Sequence, residues 1–79
     1  MKSKLLAIFS ENLRKLRKER GLSQEELAAR AGLHRTYVGA VERKEKNITL
    51  NNVERLANAL GVEPICLFSK GSRNLQSAK

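Results

Sequence analysis

The side chains with chemistry to offer are mostly hydrogen-bond donors that carry positive charge. Sixteen Lys and Arg stand against eight Asp and Glu in 79 residues, a formal charge of +8, with a sequence pI near 10.3. Such an excess draws a polyanion, nucleic acid first, although it also serves plain solubility and nonspecific attraction. Within it, Arg35, Thr36 and Tyr37 stand in a row. A guanidinium has the geometry for a bidentate contact with guanine O6 and N7, worth about 1 to 3 kcal/mol of discrimination between bases. A threonine offers its hydroxyl to a base or its methyl to thymine, and a tyrosine can approach a sugar, a phosphate or an unstacked step. Reach alone does not separate a base edge from a phosphate, so both partners stay open for Arg35. For Tyr37 a packing role is equally open.

Other chemistries are poorly supplied. One cysteine, Cys66, and one histidine, His34, form no CxxC or HxxxH spacing, and no internal disulfide is possible. Cys66 reads as a small buried hydrophobe and His34 as a residue capping or flanking a helix. No Ser-His-Asp set, phosphate-binding Gly loop or pair of carboxylates stands at workable spacing. The expectation is a protein that is not an enzyme, without a metal, cofactor or small-molecule ligand. Lys2 and Lys4 precede an apolar run that Ser10 and Glu11 interrupt, so neither export nor a membrane is expected, and the cytoplasm fits.

The elements that would position these groups read as helices. Leu5, Leu6, Phe9, Leu13 and Leu16 recur at helical spacing, with Gly21 as a stop after Arg20. Ser23 with Glu26 forms a capping box that opens a second helix, which ends at about Ala31 because Gly32 tolerates a left-handed turn. A third segment, Arg35 to Arg43, carries Val38 and Val41 three apart. The connection Lys44 to Ile48 is polar, and Thr49 then caps a fourth helix through Leu50, Val53, Leu56, Ala57 and Leu60 to Gly61. Glu63 and Pro64 open a brief fifth helix, Ile65 to Phe68. Residues 1–68 are expected to form the DNA-binding and dimerisation domain, and 69–79 a flexible polar tail with only Leu75 as a large apolar residue.

Helix, tight Gly turn, helix is the arrangement of a DNA reader: the first helix braces across the backbone while the second enters the major groove. Residues 23 to 43 have that spacing, with Leu27, Ala28, Ala31, Val38 and Val41 at the positions that must pack. A helical hairpin of an interaction adaptor, its basic face meeting an acidic protein, would show the same apolar pattern.

The stretch LRKLRKERGLSQEELAARAGLHRTYVGAVERKEKNITLNNVERLANALGV, residues 13–62, resembles the Cro/CI-like (XRE-type) helix-turn-helix repressors. Its RTYVGAVER and KNITL segments look most like the controller proteins of restriction-modification systems. The resemblance implies an all-α, compact five-helix, lambda-repressor-like domain, homodimeric on two-fold operators of double-stranded DNA. It implies a transcription regulator of restriction-modification genes and of its own promoter, with a prophage-type repressor or an antitoxin as the alternatives. The positions similar to base-contacting ones are Arg35, Thr36, Tyr37 and Ala40. Some relatives carry Gln where this chain has Ala40, so hydrogen-bond readout is lost there.

Gln24 matches a position that anchors the DNA backbone, at a helix start whose amides suit a phosphate. Arg17 and Glu42 match a pair that forms a salt bridge and leaves the arginine near the backbone, although both also read as ordinary surface charges. Arg43, Lys46 and Asn47, in the loop after the third helix, are further candidates for phosphate contact. Arg14, Lys15, Lys18 and Arg20 read by default as a solvated helix face. A chain of this length buries a limited core, which favours association with a second copy. Leu60, Val62, Ile65, Leu67 and Phe68 form an apolar surface that the resemblance assigns to the dimer seam, with protomer core the alternative for each.

Overall fold

The computed structural model describes residues 3–70. Four α-helices occupy Lys4–Glu19 (α1), Gln24–Ala31 (α2), Arg35–Glu42 (α3) and Leu50–Leu60 (α4), and a 3-10 turn follows at Pro64–Leu67. The all-α class stands, but the fifth helix is a single 3-10 turn. Pro64 has no amide to donate, and four residues cannot build an i to i−4 ladder. Their bonds run to i−3 instead, from Cys66 N to Glu63 O at 2.9 Å and from Phe68 N to Ile65 O at 3.0 Å.

Local chemistry sets the helix ends. Ser3 Oγ accepts from Leu6 N at 3.1 Å to open α1. The capping box of α2 is complete: Ser23 Oγ accepts from Glu26 N at 2.9 Å, and Glu26 Oε1 accepts from Ser23 N at 2.8 Å. Those bonds to the Ser23 backbone and hydroxyl hold the Glu26 carboxyl below its ordinary pKa, with Arg30 adding to them. Thr49 Oγ1 accepts from Asn52 N at 3.1 Å and starts α4. Gly32 closes α2 with φ 72°, the left-handed conformation that makes the tight turn into α3. His34 occupies the N-cap position of α3 but makes no side-chain cap bond.

The end of α3 is less expected. Lys44 adopts φ 66°, and Glu45 N donates to Ala40 O at 2.9 Å while Lys44 N donates to Val41 O at 3.0 Å. This is the Schellman pattern with a side chain where glycine is usual, at a cost of about 1 to 2 kcal/mol.

Phe9, Leu13 and Leu16 of α1 meet Leu27, Val38, Val41 and Leu56 in one core. Ser10 is also fully buried on that face; its hydroxyl donates to Val41 O at 2.6 Å, tying α1 to α3. Asn12 Nδ2 donates to both Leu67 O and Ser69 O at 3.0 Å and holds the 3-10 turn against α1. The Phe9 and Phe68 rings pack at 5.2 Å between centroids. Arg20 Nε reaches Leu60 O at 2.6 Å and satisfies a carbonyl at the end of α4. Cys66 is buried. Ser69, placed by sequence at the start of the tail, is half-buried and donates to Ile65 O at 3.2 Å. Residues 71–79 of the expected tail lie outside the described residues.

Candidate nucleic-acid interface

Val38 and Val41 are fully buried, which turns positions 35, 36, 39, 40 and 43 of α3 and its cap outward as one stripe. Arg35 and Thr36 are exposed and Ala40 is half-buried. The Arg35 guanidinium lies 3.9 Å from Glu25, with 71% of the side chain exposed. That contact is too long and too wet to hold it in place.

Gly39 lies in the same stripe and is nevertheless buried, because other side chains cover it. A Cβ there would meet Gln24 Oε1 at 3.1 Å and Arg43 Nη1 at 3.2 Å. The missing side chain lets Gln24, from the first turn of α2, lie down on α3.

Gln24 is held from beneath. Its Nε2 donates to Glu42 Oε1 at 2.9 Å, and Glu42 receives Arg17 through Nε to Oε2 at 2.6 Å and Nη2 to Oε1 at 3.1 Å. Arg17 Nη1 donates in turn to Leu22 O at 2.7 Å. The ion pair expected from the resemblance is therefore present and buried, the side chains being 10% and 3% exposed. Arg17 thus braces α1 to α3 with three of its five N–H groups, and it lines the cleft that a phosphate would approach.

Arg14, Lys18 and Arg43 surround this brace, and together with Arg17, Gln24 and Glu42 they line a cleft of about 300 Å³. Glu42 is neutralised by Arg17, so the net field at the cleft mouth is positive. Arg14 and Lys18 had only the look of a solvated helix face. Their four-residue spacing puts them on one side of α1, but only the docking of α1 against α3 brings them to Arg43.

Tyr37 is half-buried, packs on the core and binds the loop. Its hydroxyl donates to Asn47 O at 3.3 Å and accepts from Asn52 Nδ2 at 3.1 Å. Arg43, Lys46 and Asn47 are exposed, Arg43 pairing with Glu45 at 3.1 Å. Asn52 carries no charge or motif to mark it in the sequence.

The expected dimer seam needs correction. Leu67 is fully buried and Leu60 is 3% exposed: both belong to the protomer's own core and have no surface to give a second copy. Ile65 is 59% exposed, and Val62 and Phe68 are half-buried. Among the described residues no group of three or more His, Cys, Asp or Glu is placed to hold a metal ion. No helix there is long and apolar enough to cross a membrane.

Known proteins share the sequence and the fold of this chain. The helix-turn-helix family profile matches residues 13–65. A hypothetical transcription factor of Neisseria meningitidis serogroup B is 57% identical over 58 residues, 73% of this chain and 55% of that protein. The chain thus spans just over half of that relative's length. The crystal structure of a hypothetical transcription factor, NHTF, from Neisseria superposes with a TM-score of 0.84 at 48% identity, covering 92% of this chain and 84% of the other. The control protein C.SmaI of Serratia marcescens is 50% identical over 70 residues, 87% of this chain and 83% of the relative. The restriction-modification controller protein C.Esp1396I, as a tetramer in complex with its natural 35 base-pair operator, superposes with a TM-score of 0.79 at 36% identity, covering 85% and 88%.

Proposed function

Because the chain belongs to the helix-turn-helix family, we propose that it is a sequence-specific transcription regulator that binds two-fold operators as a homodimer and controls restriction-modification genes and its own promoter. It acts by binding and not as an enzyme, in the cytoplasm where operators lie. The likeness to C.SmaI and to the operator-bound C.Esp1396I tetramer supports the choice of target.

The outward stripe of α3 beside a positively charged cleft carries this reading. α3 enters the major groove with Arg35 and Thr36 toward base edges and the Ala40 methyl available to thymine. Gln24 at the start of α2, Arg14 and Lys18 on α1, and Arg43, Lys46 and Asn47 beyond α3 meet phosphates on either side. Tyr37 holds the loop that carries Lys46 and Asn47, and contacts DNA only where the duplex bends toward it. In a two-fold dimer the two α3 helices fall about 34 Å apart, one turn of duplex.

Fluorescence anisotropy on a labelled duplex from upstream of the chain's own gene tests this. Affinity is expected to exceed that for random duplex by about 10³ or more and to fall linearly in log–log against salt. Equal affinity for both duplexes at every salt concentration would leave only a nonspecific polycation.

A further inference from the structure

The loop that leaves α3 carries Lys46 and Asn47 exposed to solvent, and little holds it. Lys44 N and Glu45 N tie its first residues back to the helix, and Ile48 packs on the core at its far end. Between these points, among the described residues, residues 46–48 make one hydrogen bond, in which the Tyr37 hydroxyl donates to Asn47 O at 3.3 Å. A phenol has a single proton to give, and its oxygen also accepts. What occupies that oxygen decides where the proton points.

Asn52 is the occupant. Its Nδ2 donates to Tyr37 Oη at 3.1 Å, and an amide nitrogen only donates, so the phenol proton is left for Asn47 O. The start of α4 sets Asn52 in place: it is the third residue of that helix, and its backbone amide donates to Thr49 Oγ1 at 3.1 Å. Two bonds in series thus join α4, α3 and the loop.

We propose that Asn52 is a positioning residue for DNA binding: acting through Tyr37, it holds the loop at Asn47 so that the neighbouring Lys46 meets a phosphate without the loop having first to be ordered. The inference rests on the DNA-binding reading put forward above. A loop ordered in advance loses less freedom on binding, and the saving appears as affinity. Neither Asn52 nor Tyr37 has to touch the duplex for this.

The chain contains one tyrosine and no tryptophan, so tyrosine emission reports on Tyr37 alone. Asn52→Ala places a good helix former in the first turn of α4 and is expected to fold. In the free protein, acrylamide should quench the emission of this variant more strongly than that of the native chain. In anisotropy titrations the variant should bind operator and random duplex about two- to tenfold more weakly. The slope of log affinity against log salt should fall by about one, as Lys46 loses its phosphate. Tyr37→Phe keeps the ring and removes the hydroxyl, so it should reproduce this loss, and the double variant should bind no more weakly than either single one.

If Asn52→Ala does not fold, Asn52→Asp takes its place, since a carboxylate suits the first turn of a helix. It accepts the phenol proton and leaves Asn47 O without a donor, so NMR order parameters of residues 46–48 should fall while Tyr37 stays shielded. Native-like quenching in Asn52→Ala, or native-like order parameters in Asn52→Asp, would overturn the proposal. An affinity loss with an unchanged salt slope, additive with that of Tyr37→Phe, would make Asn52 a direct contact to DNA and overturn it as well. A native chain that binds operator and random duplex equally, while Asn52→Ala still unshields Tyr37, would refute the operator reading above and leave the relay standing.

Discussion

Arg17 Nε stands 2.6 Å from Glu42 Oε2 inside the protomer, and the other oxygen of the same carboxylate accepts from Gln24 Nε2 at 2.9 Å. One buried carboxylate therefore ties α1 to α3 and fixes a side chain of the proposed DNA face. Removing one partner strands the other charge in the interior. Glu42→Ala is expected to cost about 3 to 5 kcal/mol, read by urea unfolding, while Arg17→Met with Glu42→Leu together should recover most of that loss. A loss under about 1 kcal/mol for Glu42→Ala would place the pair among ordinary surface charges.

Gly39→Ala separates stability from binding. Alanine favours the helix by about 1 kcal/mol over glycine, and the new methyl presses on Gln24 Oε1 and Arg43 Nη1, both ends of flexible side chains. The Tm should hold or rise while DNA affinity falls, because Gln24 is pushed off its seat. Unchanged affinity in an anisotropy titration would show that the seating of Gln24 does not matter for DNA.

Arg35→Ala and Gln24→Ala should differ in kind. The first is expected to lose about 1 to 3 kcal/mol of discrimination at one base pair in each half-site, and the second to weaken all sequences alike. Competition binding against single-base operator variants distinguishes them. Equal losses on specific and random duplex for Arg35→Ala would assign Arg35 to a phosphate.

The capping box of α2 gives a pH dependence. The Glu26 carboxyl is held below its ordinary pKa by the Ser23 backbone and hydroxyl. Its contribution is therefore fully present above the ordinary carboxylate range and is lost as pH falls through the lowered folded value. Glu26→Gln keeps a capping bond but no charge. Thermal melts should show the native chain ahead at about pH 7 and the gap closing toward about pH 3. A gap that stays constant across that range would mean the charge contributes nothing.

How much of this was legible before the structure follows from what each signal encodes. Ser23 with Glu26, Gly32 and Thr49 act within a few residues of themselves, so the ends they set read directly. Periodicity showed that Leu60 and Leu67 lie on apolar faces, but it says nothing about which surface covers a face. The protomer's own core claimed both, and Ile65 was left outside. Lys44 bears no glycine signal, so its left-handed turn was invisible. Arg17 and Glu42 are 25 residues apart, and their meeting, like that of Arg14 and Lys18 with Arg43, is a product of helix docking that no local pattern specifies. Leu50 follows the apolar spacing of α4 yet is 84% exposed, because the first residue of a helix overhangs the core it approaches.

The central claim, that two copies of α3 read a two-fold site, is tested most directly by selecting bound duplexes from a random pool with the native chain. The enriched sequence should be two-fold symmetric, with half-site centres about 34 Å, or about 10 base pairs, apart. A pool that remains random after repeated selection, or that enriches a single unsymmetric site, would contradict it.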